Sequence, residues 1–184
     1  HGIQSIVSET SVLHNINPAN EELWRAEVTN LSANTPISET VLLKQIDDIY
    51  RNGGKTTVAW TTLGIIRNYF ALLAQERQFV NKTSFEGGFK GVAILSPNAG
   101  EIPLLSDIDA PLGEINFLNE KVINRYDATG GYKYMDRQGS MWQQVRSGDD
   151  DFDAYKATLR MYGEMGTTRR NTHGKITNLQ DDTY

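Results

Sequence analysis

Three places in the sequence combine residue type and spacing in a way that invites chemistry. Gly54-Lys55-Thr56 matches the end of a phosphate-binding loop, whose amides and lysine cradle phosphate groups. That loop also requires a glycine five positions before its last glycine, where this chain has Ile49, and a strand-to-helix setting. Here a helical pattern precedes the triplet and a strand-like run follows, so it reads as a helix stop and a strand start. Asp149, Asp151 and Asp153 have the first spacings of a calcium loop. Ala154 stands where the loop's glycine belongs and Arg160 where its bidentate glutamate belongs, so a solvated acidic turn explains them, with at most a weak cation contact. Gly87-Gly88-Phe89-Lys90-Gly91 lacks the third glycine and the setting of a dinucleotide fingerprint. It reads instead as a flexible loop presenting Phe85 and Phe89, and in an assembly as a contact element.

His1, His14 and His173 are each isolated, and there is no cysteine and no serine in an elbow motif. Local spacing therefore assembles no nucleophile–base pair. Distant groups can still converge. An alternative is a metal-dependent hydrolase or nucleic-acid-processing enzyme built from Asp107, Asp109, Asp136 and His173, all in expected loops. The bland reading of His173, which follows Arg169 and Arg170, is a surface or interface residue. Arg160, Arg169, Arg170 and Lys175 make the chain end locally basic, which suits pairing with the acidic run or a neighbouring chain as well as a phosphate. Asn30-Leu31-Ser32 and Asn81-Lys82-Thr83 fit glycosylation sequons, a pattern common by chance.

The elements that would position these residues are readable in part. Ser38 caps a helix with Glu39 at its positive end, Leu42, Ile46 and Ile49 form its stripe, and Gly53-Gly54 stops it. Thr56 to Thr61 is a strand, and Thr61 or Thr62 caps a second helix with a stripe of Ile66, Tyr69, Phe70 and Leu73. Short strands are expected at Val92–Leu95, Ile102–Leu105, Ile115–Leu118, Lys121–Tyr126 and Ser140–Val145. Tyr155, Ala157, Leu159 and Met161 alternate with polar residues, the period of one long strand to Tyr162. Glu21–Val28 is a short helix or an extended segment. The class is α+β, with two helices in front and many strands behind.

The chain has 184 residues, a formal charge of −5 and 39% hydrophobic residues, values of one ordinary globular domain with room for two lobes. No apolar run reaches about 18 residues, the length of a membrane-spanning helix. The acidic balance argues against a generic nucleic-acid coat, and no cofactor is expected. The start at His1 shows no signal-peptide pattern and suggests a processed or excised chain.

The order of several blocks resembles the tailed-bacteriophage major capsid protein of the Hong Kong 97 fold. These blocks are Gly2 to Val7 with Trp24-Arg25-Ala26, the helix ending Asn52-Gly53-Gly54, TTVAWTT, and Arg67 to Asn81. They continue through Gly87 to Pro111, Tyr134 to Val145 and Asp153 to Leu179, so the resemblance is collinear over nearly the whole chain. It implies a lead-in segment at 1–35, an axial lobe at 36–120, peripheral-lobe strands at 121–165 and a return to the axial lobe at 166–184. It implies a non-enzymatic structural subunit, made in the host cytoplasm and located in the virion. Its partner is itself, in hexamers and pentamers closing an icosahedral shell around double-stranded DNA without sequence-specific binding or a membrane. Scaffold, portal or decoration proteins are further partners, and a head-completion or tail adaptor is a blander alternative.

On the same basis the contact candidates are Phe85, Gly87, Gly88, Phe89 and Lys90, the turn at Pro97 and Asn98, and Arg169 with Arg170. Family members place an N-terminal arm, an extended loop and a spine helix ahead of the Gly2 segment, and these are not in this sequence. The chain by itself is accordingly expected to be monomeric or weakly associated.

Overall fold

The computed structural model describes residues 2–75, 82–84, 90–137, 139–147 and 150–182. Ser38 opens the first long helix: its Oγ accepts from the Val41 amide at 3.4 Å, satisfying one orphan donor of helix α2 (Glu39–Arg51). A short turn, α1 (Ile3–Ile6), precedes it. Leu42, Ile46 and Ile49 are buried as their spacing predicts. After Asn52 the chain reverses at Gly53, whose φ of +76° lies in the left-handed region that favours glycine. Strand β2 (Val58–Thr61) follows, and Thr62, with its Oγ1 3.5 Å from the Ile65 amide, starts α3 (Leu63–Gln75).

The stripe of α3 is corrected. Tyr69 and Leu73 are buried as expected, but Ile65 joins them, while Ile66 is half-buried and Phe70 is 45% exposed. Adjacent residues 69 and 70 lie about 100° apart on a helix, so only one of two neighbouring aromatics can face the core.

A seven-stranded sheet forms among the described residues. It runs β1 (Glu27–Thr35), β13 (Gly174–Leu179), β6 (Ile115–Leu118), β2, β5 (Gly100–Ser106), β4 (Lys90–Ser96), β3 (Lys82–Ser84). β1 pairs β13 in parallel and β2 pairs β5 in parallel, while β6 is antiparallel to both its neighbours. Residues of both helices share one core with Ala59, Ile94, Ile102, Leu104, Ile115, Phe117 and Ile176. Both helices thus cover the same face, the arrangement produced by right-handed crossovers that advance in one direction across a sheet.

β1 and β13 are absent from the expectations above. Their sequences, EVTNLSANT and GKITNL, are poor in apolar alternation, and each strand exists because the other end of the chain pairs with it.

The chain divides into two units, His1–Asn124 with Gly166–Tyr184, and Arg125–Met165. The second unit contains two two-stranded ribbons and the greater part of a third, whose strands begin or end in the first unit. They pair β7 (Ile123–Asp127) with β12 (Gly163–Thr167), β8 (Lys133–Tyr134) with β11 (Leu159–Arg160), and β9 (Gln143–Ser147) with β10 (Asp150–Lys156). β7 begins two residues later than expected, after a 3-10 turn at Glu120–Val122. The expected single strand from Tyr155 is two strands with different partners: β10 ends at Lys156, and β11 takes up β8 from Leu159. No described residue from Arg125 to Met165 is buried.

Candidate assembly surface and an internal clasp

Arg170 sits in a 3-10 turn, Arg170–Thr172, between β12 and β13, and is fully buried. Its Nε donates to the Ile6 carbonyl at 2.9 Å, Nη1 to the Ser11 carbonyl at 2.6 Å, and Nη2 to the Ser5 carbonyl and Ser11 Oγ at 2.8 Å each. One guanidinium thereby clasps the N-terminal segment, whose Ile6, Val7 and Leu13 are buried, onto the last stretch of the chain. Burial opposes its charge and lowers its pKa; the four donated bonds compensate. As a contact candidate Arg170 is corrected: it is an internal clasp, because its planar fork of donors matches a ring of carbonyls that no aliphatic side chain satisfies. Nothing in the spacing distinguishes it from Arg169, which is exposed and donates from Nη2 to the Gly53 carbonyl at 3.0 Å.

His173 is likewise corrected from a surface to a core residue. Its Nδ1 accepts from the Asn119 amide at 3.2 Å and its Nε2 meets Thr167 Oγ1 at 3.0 Å. The amide fixes Nδ1 as the unprotonated nitrogen, so Nε2 carries the hydrogen and donates to the hydroxyl. Burial, assisted by the Arg170 charge, pushes its pKa down to about 4, so the ring is neutral near pH 7. A neutral ring with both nitrogens engaged has no free position for a metal or a proton transfer.

The remaining members of the alternative metal site do not join it. Asp107 accepts from Trp60 Nε1 at 3.1 Å and from the Asp109 amide at 3.0 Å, which makes it the hinge of a surface turn. Asp136 belongs to the other unit. Among the described residues no group of three or more histidine, aspartate or glutamate side chains is placed to hold a metal ion.

Of the other contact candidates, Phe85, Gly87, Gly88 and Phe89 lie outside the described residues, as does Asp149. Lys90 starts β4 and pairs with Ser84. Pro97 and Asn98 are exposed in the β4–β5 turn, and Asn98 Nδ2 donates to Asp47 Oδ1 at 2.7 Å, tying that turn to α2. The β2 end of α2 reads as expected, a helix stop, and Gly54 is needed there for space. An added Cβ would lie 2.8 Å from both the Ile49 Cγ2 and the Thr172 Cα.

Sequence reasoning missed the aromatic surface of the second unit. Tyr126, Tyr132, Tyr134, Trp142, Tyr155 and Tyr162 are all exposed, with Met141 and Leu159 beside them in the chain. The alternation from Tyr155 to Tyr162 reads as strand, and none of the described residues there is buried.

No family model matches the sequence, and no curated protein matches it either. Its fold is matched among solved structures. The holo-SrpI encapsulin complex from Synechococcus elongatus PCC 7942 aligns with a TM-score of 0.59 at 14% identity, over 96% of this chain and 58% of that one. The cyanophage A-1(L) capsid aligns with a TM-score of 0.57 at 13% identity, over 97% of this chain and 56% of that one. The chain therefore spans less than two thirds of the length of the structures it matches. Its fold is α+β, of the Hong Kong 97-like capsid kind.

Proposed function

We propose that this chain is a non-enzymatic, shell-forming subunit, and specifically the rear part of a tailed-phage major capsid protein. The observation that carries the reading is the second unit, none of whose described residues is buried although it exposes six tyrosine and tryptophan side chains. Two-stranded ribbons are marginal by themselves, and so small a unit lacks a core of its own. It is completed when another protein surface covers those aromatics. The likeness to a capsid and an encapsulin supports the covering surface being part of a closed shell.

In this reading 1–35 is a lead-in segment, 36–120 the axial lobe, 121–165 the peripheral lobe, and 166–184 the return to the axial lobe. Arg169, the Pro97–Asn98 turn and the residues Phe85, Gly87, Gly88, Phe89 and Lys90 make subunit contacts. Subunits form hexamers and pentamers around double-stranded DNA in the virion, with scaffold, portal or decoration proteins as added partners. Electron microscopy of the assembled full chain tests this directly: closed shells are expected, and an absence of shells or tubes overturns it. The encapsulin likeness favours a second reading, a closed compartment that holds no genome. Nuclease-protected double-stranded DNA inside the particles selects the first reading, and its absence selects the second.

A further inference from the structure

Resting on the reading of the chain as a shell subunit, we propose that two copies meet at an acidic concavity beside β1 of one and the β8/β11 ribbon of the other. The concavity, about 310 Å³, is lined by Glu9, Glu22, Leu23, Arg25 and Glu27 among others. Its one cation, Arg25, donates to the carbonyls of Pro18 at 2.7 Å and Ala19 at 3.5 Å, neutral acceptors that leave its charge in place, and three glutamates against that one arginine keep the lining acidic. Glu27 accepts from Asn52 Nδ2 at 2.8 Å, a neutral donor that leaves its charge in place. Leu23, on the lining, is 80% exposed.

The concavity adjoins a strand edge that is open and firmly held. The Glu27 amide donates to the His173 carbonyl, so the period of two turns the main-chain groups of Val28 and Asn30 outward, away from β13. From the inner side, Gln45 Nε2 donates to the Glu27 carbonyl and Asn178 Nδ2 to the Leu31 carbonyl, both at 3.0 Å. No lysine or proline guards Glu27–Thr35, although such residues commonly protect exposed edges.

The ribbon is the complement of this surface. Lys133 stands directly opposite Arg160, and Tyr134 opposite Leu159. Like charges across a ladder are destabilising. Among the described residues neither cation has a carboxylate partner; the Arg160 guanidinium instead lies 5.7 Å from the centroid of the Tyr162 ring. Tyr134 and Leu159 are exposed beside them. A surface with several carboxylates and an exposed leucine relieves both faults at once. The contact joins unlike patches of one chain, the heterologous geometry that closes into rings.

The experiment uses the assembled full chain with single cysteines added, since this sequence has none. Leu23→Cys and Leu159→Cys proteins are mixed, assembled and treated with a short bis-maleimide. A cross-linked dimer is expected in the mixture and not in either variant alone. In parallel, Glu22→Lys and Arg160→Glu are each expected to weaken association roughly tenfold, and their combination to restore most of it. Intact shells with no mixed cross-link and no effect of either reversal overturn this contact while leaving the shell reading standing. A wild-type chain that forms no shells overturns the shell reading itself, and this contact with it.

Discussion

The Nε of Arg170 donates to the carbonyl oxygen of Ile6 at 2.9 Å, joining residues 164 positions apart. With the bonds to Ser5 and Ser11, it makes the two ends of the described chain a single structural element.

Replacing this arginine exposes what it does. Arg170→Met removes the donors to the Ile6 and Ser11 carbonyls and leaves the half-buried Ser5 carbonyl only Ser11 Oγ, at 3.1 Å, and should cost about 3 kcal/mol in denaturant unfolding. Arg170→Lys should recover only a minor part, because one ammonium cannot span three carbonyls in a plane. Limited trypsin digestion should cut at Arg25 in both variants before it cuts the wild type.

Stability should fall with acid through a single histidine. The folded pKa of His173, about 4, lies below its ordinary 6.5, so the fold prefers the neutral ring. Above pH 6.5 the ring is neutral in both states and full stability is present. From 6.5 down to about 4 the unfolded chain takes up a proton that the folded chain refuses, with a loss of about 3 kcal/mol. Unfolding curves at pH 7, 5.5 and 4.5 should show that slope, and His173→Asn should flatten it between 6.5 and 4.5.

Glycine substitutions should separate close packing from open turns. At Gly174 an added Cβ would lie 2.6 Å from Gln45 Nε2 and 2.7 Å from the Glu27 carbonyl, so Gly174→Ala should cost about 2–3 kcal/mol. Gly100 has a φ of +80° but nothing within 4 Å of the added carbon, so Gly100→Ala should cost only about 1 kcal/mol of backbone strain. Thermal unfolding of the two variants under one condition measures the difference.

The second unit should behave differently free and assembled. Trp142 is 58% exposed, so acrylamide should quench its emission readily in dissociated subunits and poorly in shells. Amide exchange in β8 and β11 should follow the same pattern, fast when free and protected on assembly. Equal quenching and equal exchange in both states would remove the case for a covered aromatic surface.

The helices of the first unit were legible because their signals are local. A serine oxygen reaches an amide three residues away, and a four-and-three stripe meets the core wherever that core lies. Phe70 shows the limit: the stripe was right in period and wrong in phase, since the direction of the core is not written in the helix. β1 and β13 were not legible, because each strand's evidence is its partner, and the partner lies at the far end of the chain. Arg170 and His173 were misplaced for a related reason. A cation and an imidazole read as surface residues until the carbonyls, amide and hydroxyl that satisfy them are brought from elsewhere. The expected contacts at Phe85, Gly87, Gly88 and Phe89 fall outside the described residues, and Asn98 and Arg169 stand at the surface, the Asn98 side chain bonded to Asp47 and the Arg169 side chain to the Gly53 carbonyl.

By itself the sequence determined the α+β class, the helix–strand–helix unit from Ser38 to Gln75, and the poor fit of each candidate motif to its chemistry, since these follow from neighbours within a few positions. Only the tertiary structure decided that Arg170 is a clasp, that His173 is a neutral core group, and that none of the described residues from Arg125 to Met165 is buried. Burial is a property of what packs against a residue, and those partners are set by pairings between distant segments.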